Sequence, residues 1–98
     1  MATFIALITE TQKGETHISE SVDRATQLKQ DAEHYQVKVT GMYWTLGSYD
    51  GVLVFETDSD ENAAAYLHHV TSQGNVRTQT LRAFDANEAR TILQRAVS

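Results

Sequence analysis

Few side chains in this sequence are equipped for chemistry, and their spacing narrows the choice further. There is no cysteine, which excludes thiol catalysis, disulfides, iron–sulfur clusters and thiolate zinc sites. Four histidines, His17, His34, His68 and His69, remain as candidate bases or ligands. His68 and His69 are neighbours in a helical pattern and so point about 100° apart, whereas a chelating pair on a helix needs a spacing of three or four. Both read as surface residues, His34 falls opposite the apolar stripe of its own segment, and no metal site is assigned. The richest group is Glu10, Lys13, His17, Tyr49, Asp50 and Arg77. If the fold gathers them, His17 or Asp50 is the candidate acid–base group, Arg77 the anchor for an anion, and Tyr43 and Tyr49 the ligand-facing rings. The plainer roles weigh more. Asp50 would accept backbone N–H groups in a turn or pair with Arg77, Tyr49 would pack over a sheet edge, and His17 would be an ordinary exposed imidazole. No phosphate loop or paired catalytic carboxylate stands at a convincing spacing, and no cofactor can be named.

These residues must be positioned by elements that the hydrophobic pattern marks out. Residues 3–9 are short, β-branched and apolar on both alternating faces, as in a strand buried from two sides. Residues 11–16 are polar and contain Gly14, which predicts a connecting loop able to close over a ligand. Ile18, Val22, Ala25, Leu28 and Ala32 then recur at helical spacing, interrupted only by Lys29, whose aliphatic stem can lie along an apolar surface. Residues 37–46 and 51–56 are strand-like, and Leu46-Gly47-Ser48-Tyr49-Asp50 between them reads as a hairpin turn. Asp58 and Glu61 have the spacing of a capping box before a second helix with Ala63, Ala64, Leu67 and Val70 inward, closed by Gly74. Residues 76–84 form the fourth strand. Asp85 and Glu88 repeat the capping spacing ahead of a short amphipathic helix marked by Ala89, Leu93, Ala96 and Val97.

Strand, helix, strand, strand, helix, strand is the order that right-handed crossovers turn into an antiparallel sheet with strands one and three at its centre. The predicted fold class is therefore α+β, a ferredoxin-like βαββαβ unit with an added C-terminal helix. Its 98 residues leave room for one domain, 1–98, and no separate catalytic module. Every strand neighbour is antiparallel, so the ends of strands one and two and the starts of strands three and four share one edge with the first helix, which would bring the six residues above together. Two helices cover only one sheet face, yet the central strands are apolar on both, so a second copy of the chain is the simplest cover. Met42, Trp44 and Leu46 share one face of strand two and Tyr43 and Thr45 the other, and one of these rows should line a cavity or an interface. Arg82 is read as a bridge to Glu56.

A net charge of −5, from 13 acidic and 8 basic residues, argues against nucleic acid as a partner. No apolar run approaches the roughly 20 residues needed to cross a bilayer, and the first ten residues lack the features of a signal peptide, so a cytoplasmic protein without membrane partners is expected.

Three stretches carry a resemblance to a known family: Gly41-Met42-Tyr43 with Leu46-Gly47-Ser48-Tyr49-Asp50, the Asp-Glu start of the second helix, and Gly74-Asn75-Val76-Arg77-Thr78-Gln79-Thr80-Leu81-Arg82-Ala83-Phe84. In register over nearly the whole chain, they resemble the GYD-domain family, its name motif met here as Gly-x-Tyr-Asp with Ser48 in the variable place. The resemblance implies a ferredoxin-like protein similar to the dimeric α/β-barrel group, in which activity is mostly unestablished. Fold alone selects no function. The expected function is a small homo-oligomeric binding or assembly module. The alternative is a dimeric α/β-barrel enzyme acting on a small organic or anionic molecule, with the site at His17, Tyr49, Asp50 and Arg77.

Overall fold

The structure, a computed structural model, describes residues 1–97. β1 (Ala2–Glu10) is flanked by β3 (Gly51–Thr57) and β4 (Val76–Ala83), and β2 (Lys38–Trp44) adds outside β3, giving the antiparallel order β2-β3-β1-β4. This is the ferredoxin-like arrangement of the dimeric α/β-barrel type, with strands one and three central as the pattern requires. The register separates the two faces. Phe4, Ala6 and Ile8 of β1 lie opposite Phe55, Leu53 and Gly51 of β3 on the helix-covered face, while Ile5 and Leu7 lie opposite Val54 and Val52 on the open one. The pairing of β2 slips by one residue between Val39 and Gly41, which puts Met42 and Trp44 on the helix side and Tyr43 on the open side.

The helix layer is built by α2 (Ser21–Asp31) and α3 (Asp60–Ser72). Their shared core is Ala6, Leu53, Phe55, Ala63, Tyr66 and Val70, with Ala32 and Val37 at one margin. Tyr66 is fully buried, edge-on to Phe55, and its hydroxyl donates to the Leu28 carbonyl at 2.8 Å. Burial, reinforced by the Asp31 charge, pushes its phenol well above the usual tyrosine range, so it stays a neutral donor.

Several elements differ from the sequence expectation, each for a local reason. Residues 12–16 are not a loop but a short helix, α1 (Gln12–Thr16), because the Thr11 hydroxyl accepts the Gly14 N–H at 3.1 Å and donates to the Gly74 carbonyl at 2.6 Å. Ile18 belongs to a separate 3-10 turn (Ile18–Glu20), out of phase with α2, so Ile18 and Val22 are exposed, while Ala25, Leu28 and Ala32 hold the inward positions expected of them and Arg24 joins them. The cap of α3 is Ser59, whose extended backbone lets its hydroxyl accept from the Asn62 N–H, one residue later than the Asp58 spacing indicated. Its inner face is Ala63, Tyr66 and Val70, with Ala64 exposed and Leu67 half-buried. That rotation turns His69 inward, where its ring packs on Tyr35 and its Nε2 lies 2.8 Å from Asp31 Oδ2. His69 and Gln27 together hold the Asp31 carboxyl below its usual range. His68 remains exposed, as expected.

The last helix, α4 (Ala86–Val97), starts on the capping box read from sequence: Glu88 N–H donates to Asp85 Oδ1 at 2.8 Å and Asp85 N–H to Glu88 Oε1 at 3.0 Å. Arg82 pairs with Glu88 at 3.8 Å, not with Glu56, and stacks on the Phe84 ring. No described residue of α4 is buried and it makes no extensive contact with another element, so the open sheet face stays uncovered within one subunit.

The Tyr66 hydroxyl can be tested directly. The Leu28 carbonyl already accepts the Ala32 N–H, so removing the hydroxyl strands no acceptor. Tyr66→Phe should cost about 0.5–1 kcal/mol, against roughly 3–5 kcal/mol for Tyr66→Ala, as read by urea denaturation.

Candidate functional site

The C-terminal end of β1 meets the hairpin turn through a reciprocal clamp. Asp50 N–H donates to the Ile8 carbonyl at 2.8 Å, and Asp50 Oδ2 accepts the Glu10 N–H at 2.7 Å. The turn itself is tied by Thr45 N–H to the Asp50 carbonyl and by Thr45 Oγ1 to the Tyr49 carbonyl. With β1 held at this register, Glu10 projects to the helix side, where its side chain is only 8% exposed.

Around Glu10 a cleft of ≈ 60 Å³ opens between α2 and the ends of β1, β2 and β3. Its walls include Leu28, Met42, Trp44 and Leu53, with Ser21 and Arg24 on the helix side and Asp50 at the turn. Trp44 reaches from β2 to α2, its indole N–H donating to Ser21 Oγ at 2.9 Å. Arg24 holds two partners, donating Nη1 to the His17 carbonyl at 2.8 Å and lying 3.4 Å from Glu10 Oε2 through Nη2. Burial raises the Glu10 pKa above its ordinary 4.5; the Arg24 charge opposes the shift, and Asp50 and Glu15 add to it. A carboxyl with a raised folded pKa favours the folded state most at acid pH, and that contribution is lost as pH rises through the folded value. The same carboxylate explains Gly14: a Cβ there would run into Glu10 Oε2 and the Asn75 carbonyl, so this glycine is required by close approach rather than by loop mobility.

The six residues grouped by sequence do not meet at one point. Glu10 and Asp50 touch. His17 turns back on its own turn, its Nδ1 lying 3.0 Å from the Lys13 carbonyl, and Lys13 Nζ donates to the Gln73 carbonyl. Arg77 pairs with Thr9 in the ladder and so belongs to the open sheet face, where its side chain makes no hydrogen bond or ion pair with the described residues. Tyr49 also crosses that face, its hydroxyl donating to Gln79 Oε1 at 3.0 Å, and the Tyr43 ring covers Gly41 there. His17, Tyr49 and Arg77 do not line the cleft. The alternation of β1 divides them, because residues 9 and 10 face opposite sides of the sheet.

Sequence reasoning missed Arg24, Ser21 and the role of Trp44. A signal existed: Ser21 stands four residues before Ala25 and Arg24 four before Leu28, two members of the predicted stripe, but extending that stripe back through Ile18 and Val22 left both polar residues out. Among the described residues, no group of three or more histidine or acidic side chains is placed to hold a metal ion, and no helix is long and apolar enough to cross a membrane.

The clamp predicts that Asp50→Ala lowers stability by about 1–2 kcal/mol, the scale of stranding a charge-assisted acceptor's donor. Asp50→Asn should lose less, because the amide oxygen still accepts and the repulsion with Glu10 is gone. Thermal unfolding of both variants provides the check.

Comparison with known proteins places this geometry in context. A curated protein of Thermus thermophilus, named glutamine synthetase and cystathionine beta-lyase binding protein, is 36% identical over 84 residues, 85% of this chain and 88% of its own length. The crystal structure of TTHA0845, also from Thermus thermophilus, superposes with a TM-score of 0.58 at 25% identity, over 88% of this chain and 96% of that one. A Burkholderia phenoliruptrix 5-chloro-2-hydroxyhydroquinone dehydrochlorinase superposes with a TM-score of 0.61 over 89% and 97% of the two chains, but at 13% identity that likeness concerns the fold alone. The GYD domain family model matches residues 4–93. The chain accordingly belongs to the GYD-domain family.

Proposed function

We propose that this protein is a small homo-oligomeric binding protein that docks onto an enzyme, rather than an enzyme itself. The observation that carries the reading is the apolar surface left open on well-formed elements. On the open sheet face Tyr43 is 60% and Leu81 45% exposed beside the half-buried Ile5, Leu7, Val52 and Val54. On α4, Ile92, Leu93 and Val97 stand exposed on a helix whose start is firmly capped. Contiguous apolar surface of this kind marks interaction sites. A second copy suits the sheet face, since two such faces pack as sheet on sheet and each row meets its own equivalent.

The likeness to a binding protein of two enzymes at 36% identity supports the same role. On that basis the partner is an enzyme of the glutamine synthetase or cystathionine β-lyase class. In the cleft the polar groups are largely engaged with one another, Arg24 with Glu10 and His17, Asp50 with the Glu10 N–H, and Trp44 with Ser21, which fits holding better than turnover.

Sedimentation velocity of the purified protein, alone and mixed with each purified enzyme from its own organism, tests this reading. The expected result is a dimer or larger assembly alone and co-sedimentation with at least one enzyme at micromolar concentration. A monomer that associates with neither would contradict it.

A further inference from the structure

We propose that the cleft between α2 and the clamped end of β1 binds a small organic ammonium compound, its charged head against Glu10 and its short apolar tail along Leu28, Met42 and Trp44. The site goes beyond the docking role and does not depend on which protein the exterior meets. Its first support is a largely buried carboxylate with spare acceptor capacity. Glu10 is more than nine-tenths buried, yet only Oε2 has a partner, and that contact with Arg24 is long at 3.4 Å. Oε1 has no partner among the described residues and, since no fully buried side-chain oxygen or nitrogen there lacks one, it keeps some exposure, while Glu10 itself lines the cleft. A half-used carboxylate held in apolar surroundings asks for a donor.

The second support is charge. Glu10 and Asp50 contribute two negative charges and Arg24 one positive, and the Glu15 carboxylate from α1 adds to the field on Glu10. A cation is attracted and an anion repelled, which reverses the preference for an anionic ligand that the sequence suggested for this end of the sheet. The third support is size. With roughly 10–15 Å³ per water on this measure, ≈ 60 Å³ holds an ammonium head and a few carbons, far below the roughly 300 Å³ of a drug-sized pocket. The walls that the tail would meet are aliphatic, thioether and indole surface, and an ammonium beside the indole also gains cation–π attraction.

The site carries its own reporter, because Trp44 is the single tryptophan of the chain and bridges the cleft to Ser21. Tryptophan fluorescence is titrated with n-butylammonium chloride, n-butanol and sodium butyrate at equal ionic strength and pH 7, three four-carbon probes of different charge. The expected result is saturable binding of butylammonium, at least tenfold weaker binding of butanol and no saturation by butyrate. Glu10→Gln should weaken butylammonium at least tenfold and leave butanol within about twofold. Should that variant fail to fold, the unaltered protein gives a second readout: butylammonium affinity falls as pH drops through the raised Glu10 range, in which the Asp50 and Glu15 carboxylates and the Arg24 guanidinium are the charged groups facing Glu10, while butanol affinity holds. Equal responses to all three probes, no saturation by butylammonium, or an ammonium affinity indifferent to pH down to unfolding would each overturn the proposal. None of these outcomes bears on the sedimentation experiment, so the two readings fail separately.

Discussion

The clamp between Asp50 and the end of β1 is the contact on which the cleft end of this molecule rests. A hairpin turn of six residues has many ways to sit, and two hydrogen bonds in opposite directions, Asp50 N–H to Ile8 and Glu10 N–H to Asp50, select one. Once β1 is fixed at that register, strand alternation sends Glu10 to the helix side and Thr9 to the open side. Glu10 is thereby driven into a partly desolvated place next to a second carboxylate. Arg24 compensates only in part, so burial holds the Glu10 carboxyl above its ordinary range. Gly14 completes the arrangement by leaving the carboxylate room that any side chain would take.

The rest of the fold keeps that end rigid while leaving other surfaces open. Tyr66 ties α3 to α2 through the Leu28 carbonyl, and the His69–Asp31 contact ties them again at the end of α2. Because α2 also supplies Ser21 and Arg24, packing between the helices sets the width of the cleft. The opposite sheet face has no such cover, and a chain of this size gains most by sharing it. The surface proposed for docking and the cleft proposed for a ligand thus lie on two different faces of one sheet.

The fold was legible in the sequence because its signals were redundant. The apolar alternation of residues 3–9 and 51–56, the turn before Gly51, the Gly74 stop with its left-handed backbone and the Asp85–Glu88 box each pointed to the same βαββαβ order. The site was legible only in outline. Asp50 does accept a backbone N–H, but from Glu10 of β1 rather than within the turn, and whether Arg77 and Glu10 share a face depends on the parity of single residues, which tertiary register fixes. Tyr66 was passed over because a phenol counts as half polar until a carbonyl 38 residues away is seen to satisfy it. Residues 11–16 misled because polarity and a glycine look like a loop when the Thr11 cap is missed.

The protonation state of Glu10 is central to the cleft, and site-resolved carbon NMR of its side-chain carboxyl across a pH titration of the unliganded protein measures it. The predicted midpoint lies above the ordinary 4.5 and moves down in Asp50→Asn, because the Asp50 charge helps to raise it. A Glu10 carboxyl that titrates at or below 4.5, unmoved by the loss of Asp50's charge, would contradict the picture of a buried, half-compensated acceptor at the centre of the cleft.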